Sequence, residues 1–442
     1  MRGSGPTDDD EDEESLGIYD GERFVFTQNS AKGRLQYWWN TVKILWKYGI
    51  SLYKTIQMMK STVSSFLMLY DEPFFPWKHG LTNAAGAVGL LNTTSSTGLE
   101  FLRAGGVTDR FANDIVQAST RVNYAQNIDT IHGLEAMVCK SCPFGGNSLW
   151  SSSRHVSGAC WSFQRKFTDN LRVGMATEGA MAVDGGNWQI FAAMLNASGA
   201  DVYLNSKVDE IEIGDPDAGL RILSEDLSTV EYGLDALVLA APYYQAGIKF
   251  TPTPDHVPED IPYVDLHVTL LSSPHRLSPK AFGLTEHEQV PDVVLTTLPP
   301  GRGSPANGAG PAGFFSISLV RAAQNPHVVP PRKEYIYKIF SPEAVSATFL
   351  KRILGLHGST NDEADTTLEK KLDPNDISWI YRKLWQSYPY LPPRHNFEPS
   401  QLDTNLWYTS GIESFISTME TSALSGKNVA RLIVDGWLAD AR

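Results

Sequence analysis

The chain has 442 residues, which at roughly 150 residues per domain points to two or three domains, and its 42% hydrophobic content suffices for sizeable cores. Lys and Arg total 37 against 50 Asp and Glu, a net charge of −13 that offers no basic face to a phosphate backbone and excludes a nucleic-acid partner from the expectations.

Much of that charge lies at the start, where Asp8, Asp9, Asp10, Glu11, Asp12, Glu13 and Glu14 are opposed only by Arg2. Such a run predicts a solvated, disordered tail over residues 1–15, and it is the reverse of a signal peptide's basic and then apolar order. Leu16 to Gln28 reads as a hairpin, with Ile18 and Tyr19 before an Asp20-Gly21 turn and Phe24, Val25 and Phe26 after it. From Leu35 to Leu69 apolar residues recur at helical spacing, ending at Pro73 and Pro76. Their large side chains suit ordinary helix packing or the wall of a channel for a long apolar ligand. Lys43, Lys47 and Lys54 interrupt this stretch, so no transmembrane segment is expected. Short helices follow at Leu99 to Leu102 and Arg110 to Ser119.

Alternation between Asp201 and Ile213, resumed at Leu220 to Leu223, predicts a second hairpin. The run Ala236 to Ala240 reads as a buried strand in a covered sheet. Strand-like segments at Leu266 to Leu271, Val293 to Thr297, Phe314 to Leu319 and Tyr335 to Phe340 predict a mostly antiparallel sheet. Helices are expected at Pro342 to Leu354, at Asp376 to Trp385 and from about Thr418 to Leu438. Three cysteines, Cys139, Cys142 and Cys160, are too few for a disulfide framework, and no histidine cluster suits zinc, so no metal site is expected.

Three motifs carry chemistry. Val183-Asp184-Gly185-Gly186-Asn187-Trp188 opens an apolar helical stretch, and paired glycines at a helix start let a ligand approach unpaired N–H groups. A strand with Val208 and Ile211 follows, and then Asp235 to Pro242 ends in Ala241-Pro242. Near the C-terminus Gly411-Ile412-Glu413 precedes Thr418-Met419-Glu420, a Gly-acid turn feeding a helix whose start can stabilise partial negative charge.

This ordered set, together with Leu16 to Glu22, Arg121-Val122-Asn123-Tyr124-Ala125-Gln126, Tyr337-Lys338-Ile339-Phe340-Ser341 and Tyr408 to Glu413, resembles the flavoprotein oxidase superfamily that includes amine oxidases and protoporphyrinogen oxidase. Within it the prenylcysteine oxidase, or prenylcysteine lyase, family is the best match. The resemblance implies a mixed α/β fold of the amine-oxidase and GDP-dissociation-inhibitor type, with a substrate domain built on an antiparallel sheet and helices. It implies FAD as cofactor and oxidation of the thioether of farnesyl- or geranylgeranylcysteine by oxygen, giving a prenyl aldehyde, cysteine and hydrogen peroxide. Cofactor-binding positions would be Gly185, Gly186, Asn187, Val208, Ala241, Pro242, Gly411, Ile412, Glu413, Thr418, Met419 and Glu420. The catalytic candidates are Arg121, Asn123, Tyr124 and Gln126, which either anchor the amino-acid end and line the flavin or form a buried hydrogen-bond network tying helix to sheet.

The expected division is a tail over 1–15, a prenyl-binding region over 16–135, FAD-binding segments over 136–250 and 396–442, and a substrate domain over 251–395. The chain departs from the family in lacking the strand, GxGxxG turn and helix that hold the ADP half of FAD, which suggests an N-terminally truncated and impaired form. A Ser-, Gly- and Arg-rich insert, about Lys140 to Gly174, reads as a retained intron or a surface loop. The alternative function is a non-catalytic isoprenoid-binding protein resembling the Rab GDP-dissociation inhibitors. Sequons at Asn92 and Asn196 and the family resemblance suggest a glycoprotein of the lysosome or vacuole.

Overall fold

The computed structural model describes residues 15–28, 46–141, 183–214, 220–224, 231–301, 303–304, 308–356 and 372–440. The acidic run and nearly all of the predicted insert lie outside these residues.

In chain order, strands β1 (Leu16–Tyr19) and β2 (Phe24–Gln28) pair antiparallel around the expected turn. There Asp20 Oδ1 accepts from the amides of Glu22 and Arg23 at 2.9 and 2.8 Å. Gly21 takes φ +98°, and a Cβ on it would stand 2.8 Å from Pro311, so glycine is required both for conformation and for space. Helices α1 (Ser51–Leu67), α2 (Gly80–Ala87) and α3 (Gly98–Ala104) follow. A continuous helical run then passes through Asp109–Phe111, a π-helical segment Ala112–Val116 and α4 (Gln117–Tyr124). After α5 (Gly133–Ser141) and α6 (Trp188–Ser198) come β3 (Glu210–Ile213), β4 (Leu220–Leu223), β5 (Glu231–Leu234), β6 (Leu237–Leu239) and β7 (Lys249–Thr251). The longer strands β8 (Tyr263–Ser273), β9 (Val293–Thr296), β10 (Ser316–Asn325) and β11 (Arg332–Ser341) lead to α7 (Ala347–Leu354). The chain continues through β12 (Trp379–Pro389), β13 (Gln401–Asp403), β14 (Leu406–Tyr408) and α8 (Met419–Asp440).

The described residues fall into two compact units, and neither is one continuous stretch. The first comprises the described parts of Met1–Thr55, Leu102–Ile131 and Tyr263–Ser387. Its sheet has the order β12-β8-β11-β10-β9-β1-β2, with β1 and β9 parallel and the neighbouring pairs from β9 through β11 to β8 antiparallel. One sheet face packs Leu271, Ile317, Tyr337 and Ile339 with Leu350 and Ile353 of α7. Each fully buried side chain of this size contributes about 1.5–3 kcal/mol. Ser346 caps α7 by accepting from the amide of Phe349 at 3.1 Å, and Gly355 at φ +69° ends it.

The second unit comprises the described parts of Ile56–Phe101, His132–Pro262 and Tyr388–Arg442. It holds a three-stranded sheet, β13-β14-β6, and a four-stranded one, β5-β4-β3-β7. Leu220, Leu239, Leu402 and Leu406 share one core, and Phe66, Leu69, Trp77, Phe397, Phe415 and Leu424 share another.

Three expectations are corrected. Residues from Asp376 to Trp385 are not a helix, because their aromatic and branched side chains extend along β12, and the amide of Ser378 already donates to Ser272 O at 3.0 Å. Val202, Tyr203 and Leu204 form no strand and are 53–78% exposed, so their alternation has no sheet to serve. The strand within Ala236 to Ala240 shrinks to β6, the outer strand of its sheet, with Val238 42% exposed rather than buried. Among the described residues no helix is long and apolar enough to cross a membrane.

Candidate functional site

The second unit brings two of the predicted cofactor motifs to one place. β6 and β14 run parallel, with Leu237 opposite Leu406 and Leu239 opposite Tyr408, so the chain leaves both strands at the same carboxyl end. From β6 it enters Ala241-Pro242, and from β14 it enters the Ser410–Ser414 turn containing Gly411, Ile412 and Glu413. The amide of Thr409 donates to Leu239 O at 3.2 Å, and that of Tyr243 to the Tyr408 hydroxyl at 3.4 Å. Burial pushes the Tyr408 phenol up to about 12, so it stays a neutral hydrogen-bonding group. A Cβ on Gly411 would meet Glu398 Cβ at 2.8 Å, which explains the glycine by close approach of two chain segments. Ile412 is 3% exposed and anchors the turn in the core that includes Phe415.

The same turn leads to the start of α8. Thr418 Oγ1 accepts from the amide of Thr421 at 3.2 Å, which caps the helix. The amides of Met419 and Glu420 have no partner within the helix, and the aligned peptide dipoles make this end electropositive. Glu420 accepts from the Tyr70 hydroxyl at 2.8 Å, and burial followed by the Glu420 charge raises the Tyr70 pKa. Met419 is 56% exposed beside it.

Gly185, Gly186, Asn187 and Val208 are placed differently. Gly185 and Gly186 take φ +85° and +116°, and Asn187 Oδ1 accepts from the amide of Val183 at 2.9 Å, a local turn that starts α6. None of the residues of α6 is buried. Val208 leads into β3, which belongs to the four-stranded sheet and not to the sheet of β6 and β14.

In the first unit, Arg121 on α4 is fully buried. Its Nε and Nη2 donate to Thr296 Oγ1 at 3.1 and 2.9 Å. Nη1 donates to Asn127 Oδ1 at 2.9 Å and Gly308 O at 2.5 Å, and Nη2 also reaches Ala309 O at 2.7 Å. All three nitrogens are therefore engaged by neutral oxygens, and the group knots α4 to β9 and to the loop before β10. Burial pulls its pKa down to about 9, which leaves it cationic at neutral pH. Asn123 Nδ2 donates to Ser119 O at 3.0 Å, Gln126 Nε2 lies 3.5 Å from Tyr124 O, and Tyr124 is 3% exposed.

Sequence reasoning missed Thr296 and Asn127, the side-chain partners of Arg121, and also Asp114. Asp114 lies in the π-helical segment, where it accepts from the Tyr48 hydroxyl at 3.0 Å and pairs with Lys47 Nζ at 3.0 Å. A helical apolar pattern hides such a residue, because a π turn shifts the face by one residue without a composition signal. His132 was also missed; burial pulls its pKa down to about 3, so it stays neutral, with Nδ1 accepting from the amide of Glu135 at 3.2 Å. Among the described residues no group of His, Cys, Asp or Glu gathers to hold a metal ion.

Two parallel strands delivering their loops beside a helix start belong to a mixed α/β protein. The family model described as prenylcysteine lyase matches residues 32–155 and 167–442, and the chain belongs to that family. The internal gap in the match, 156–166, lies within the predicted insert, and the match covers the rest of that insert. The chain is 26% identical to farnesylcysteine lyase of Arabidopsis thaliana over 97% of its own length and 71% of that protein. It is 24% identical to human prenylcysteine oxidase 1 over 96% of its length and 73% of that protein. Among solved structures it is similar to cyclohexylamine oxidase from Brevibacterium oxydans, with a TM-score of 0.45 and 13% identity over 87% of this chain and 75% of that one.

Proposed function

We propose that this protein oxidises the thioether of prenylcysteine, with FAD as its cofactor and oxygen as the final acceptor. The observation that carries the reading is the family match across both units, 32–155 and 167–442. The reaction balances as one prenylcysteine, one oxygen and one water giving one prenyl aldehyde, one cysteine and one hydrogen peroxide. Bound FAD would supply the acceptor for the hydride that leaves the allylic carbon next to sulfur.

The residues present fit the electron-accepting end of that cofactor. Ala241-Pro242 and Gly411 to Glu413 issue from adjacent strand ends, where that end of the cofactor would lie. The start of α8 offers the amides of Met419 and Glu420 to an acceptor that gains negative charge, and the capped Thr418 holds that end in shape. The described residues include no glycine-rich turn of the dinucleotide-binding type between a strand and a helix. Burying the isoprenoid and holding the reactive carbon in line is the remaining task of the chain's apolar side chains.

The test is the absorption spectrum of the purified chain after mixing with FAD and gel filtration. Flavin bands near roughly 380 and 450 nm that remain with the protein support the reading. A colourless protein that still binds farnesylcysteine would instead favour a non-catalytic isoprenoid carrier.

A further inference from the structure

The segment Tyr337 to Ser341 holds a lysine that the reading above leaves unused. On β11, Tyr337 and Ile339 are 3% and 0% exposed and face the core shared with α7. Alternation turns Lys338 and Phe340 to the other face of the sheet. Register places Leu270 and Ser318 directly across from Lys338, and Val268 across from Phe340. Cross-strand partners share a face. Lys338 thus stands among Val268, Leu270 and Phe340, all of them only half-buried, on a surface that the sheet's own core does not cover.

Its ammonium is 5.0 Å from the centre of the Phe340 ring. Among the described residues it makes no hydrogen bond and no ion pair. Burial alone lowers its pKa, and no carboxylate contributes. Other half-buried lysines of this unit include Lys47, paired with Asp114 at 3.0 Å, and Lys54, which donates to Gly106 O at 3.0 Å. A partly dry ammonium has three donors to satisfy, and an anion satisfies them best. The apolar row on either side asks for a different chemistry, a long hydrocarbon. One small molecule with both is an amino acid carrying an apolar chain.

We infer that Lys338 binds the α-carboxylate of the prenylcysteine substrate, whose isoprenoid lies along Val268, Leu270 and Phe340. This assignment rests on the proposed function for its substrate class. The Ser318 hydroxyl, across the strand pair, is an acceptor for the substrate's ammonium.

Equilibrium dialysis of the full chain, supplied with FAD, against farnesylcysteine and its methyl ester tests the assignment. The ester keeps the hydrocarbon and the thioether but removes the carboxylate charge. The wild type should bind the acid about tenfold or more tightly than the ester, the worth of one charge-assisted contact. Lys338→Met should bring that ratio to about one while leaving ester affinity within about twofold, and Lys338→Arg should keep most of it. Retained ester binding shows that the variants are folded, and Lys338→Gln replaces Lys338→Met if the latter precipitates. Equal binding of acid and ester by the wild type, or an unchanged ratio in Lys338→Met, would overturn the assignment. If both ligands bind but no aldehyde or peroxide forms, the oxidase reading fails while the ratio still decides the role of Lys338. If neither binds, both readings fall.

Discussion

The helix that carries Arg121 and the helix that carries Trp188 have opposite surroundings. Arg121 is 0% exposed, and every nitrogen of its guanidinium is spoken for, whereas Trp188 is 66% exposed and its helix buries no residue. A motif that marks the family lies in the first helix and another in the turn just before the second, yet only the first helix contributes to a core. The contrast teaches that a family motif and a packed helix are separate facts. Stability resides where polar groups are satisfied in the interior, and side chains left largely exposed lend little, however apolar they are.

Substitutions should reproduce this contrast in size. Arg121→Met leaves Thr296, Asn127 and the carbonyls of Gly308 and Ala309 without their donor, and should cost about 3 kcal/mol or more in denaturant unfolding. Arg121→Lys should recover little, because a single ammonium cannot reach acceptors spread around a planar fork. Gly411→Ala forces a Cβ to within 2.8 Å of Glu398 Cβ and should cost about 1–3 kcal/mol. The same variant should release flavin more readily, read as lost absorbance after gel filtration.

Glu334 on β11 provides a pH-dependent test inside the first unit. It is 1% exposed, and burial alone would raise its pKa, but hydrogen bonds from Ser378, Ser272, Arg332 and Asn325 bring it down from 4.5 to about 2. A depressed carboxylate stabilises the fold fully above its unfolded value and loses that contribution as pH falls through its folded value. Denaturation midpoints should therefore decline between about pH 4.5 and 2 for the wild type and decline less for Glu334→Gln. Thr418→Ala removes the cap of α8 and should cost about 1 kcal/mol. Leu195→Ser on α6, at a side chain 52% exposed, should stay within about 0.5 kcal/mol of wild type.

Much of this was legible in the sequence because it is local. The Asp20-Gly21 hairpin, α7, α8 and the strands β8 to β11 follow from turn residues and periodicity over a few positions. Ala241-Pro242 and Gly411 to Glu413 were recognised as motifs, but their meeting depends on the parallel pairing of β6 with β14, residues about 170 apart that no local pattern relates. The two readings left open for Arg121 turn on Thr296, Gly308 and Ala309, which are equally remote. At Trp379 to Trp385 the apolar residues fit a helix and a strand alike, and the free edge of β8 selected the strand. Lys338 was quoted as part of a motif, but only its cross-strand neighbours reveal an unpaired cation in an apolar row.

The most direct measurement of the central claim is product analysis of the FAD-supplied chain with farnesylcysteine in air-saturated buffer. The account predicts farnesal, cysteine and hydrogen peroxide in equal amounts, all depending on oxygen. Unchanged farnesylcysteine, from a protein that retains flavin and binds the substrate, would contradict it.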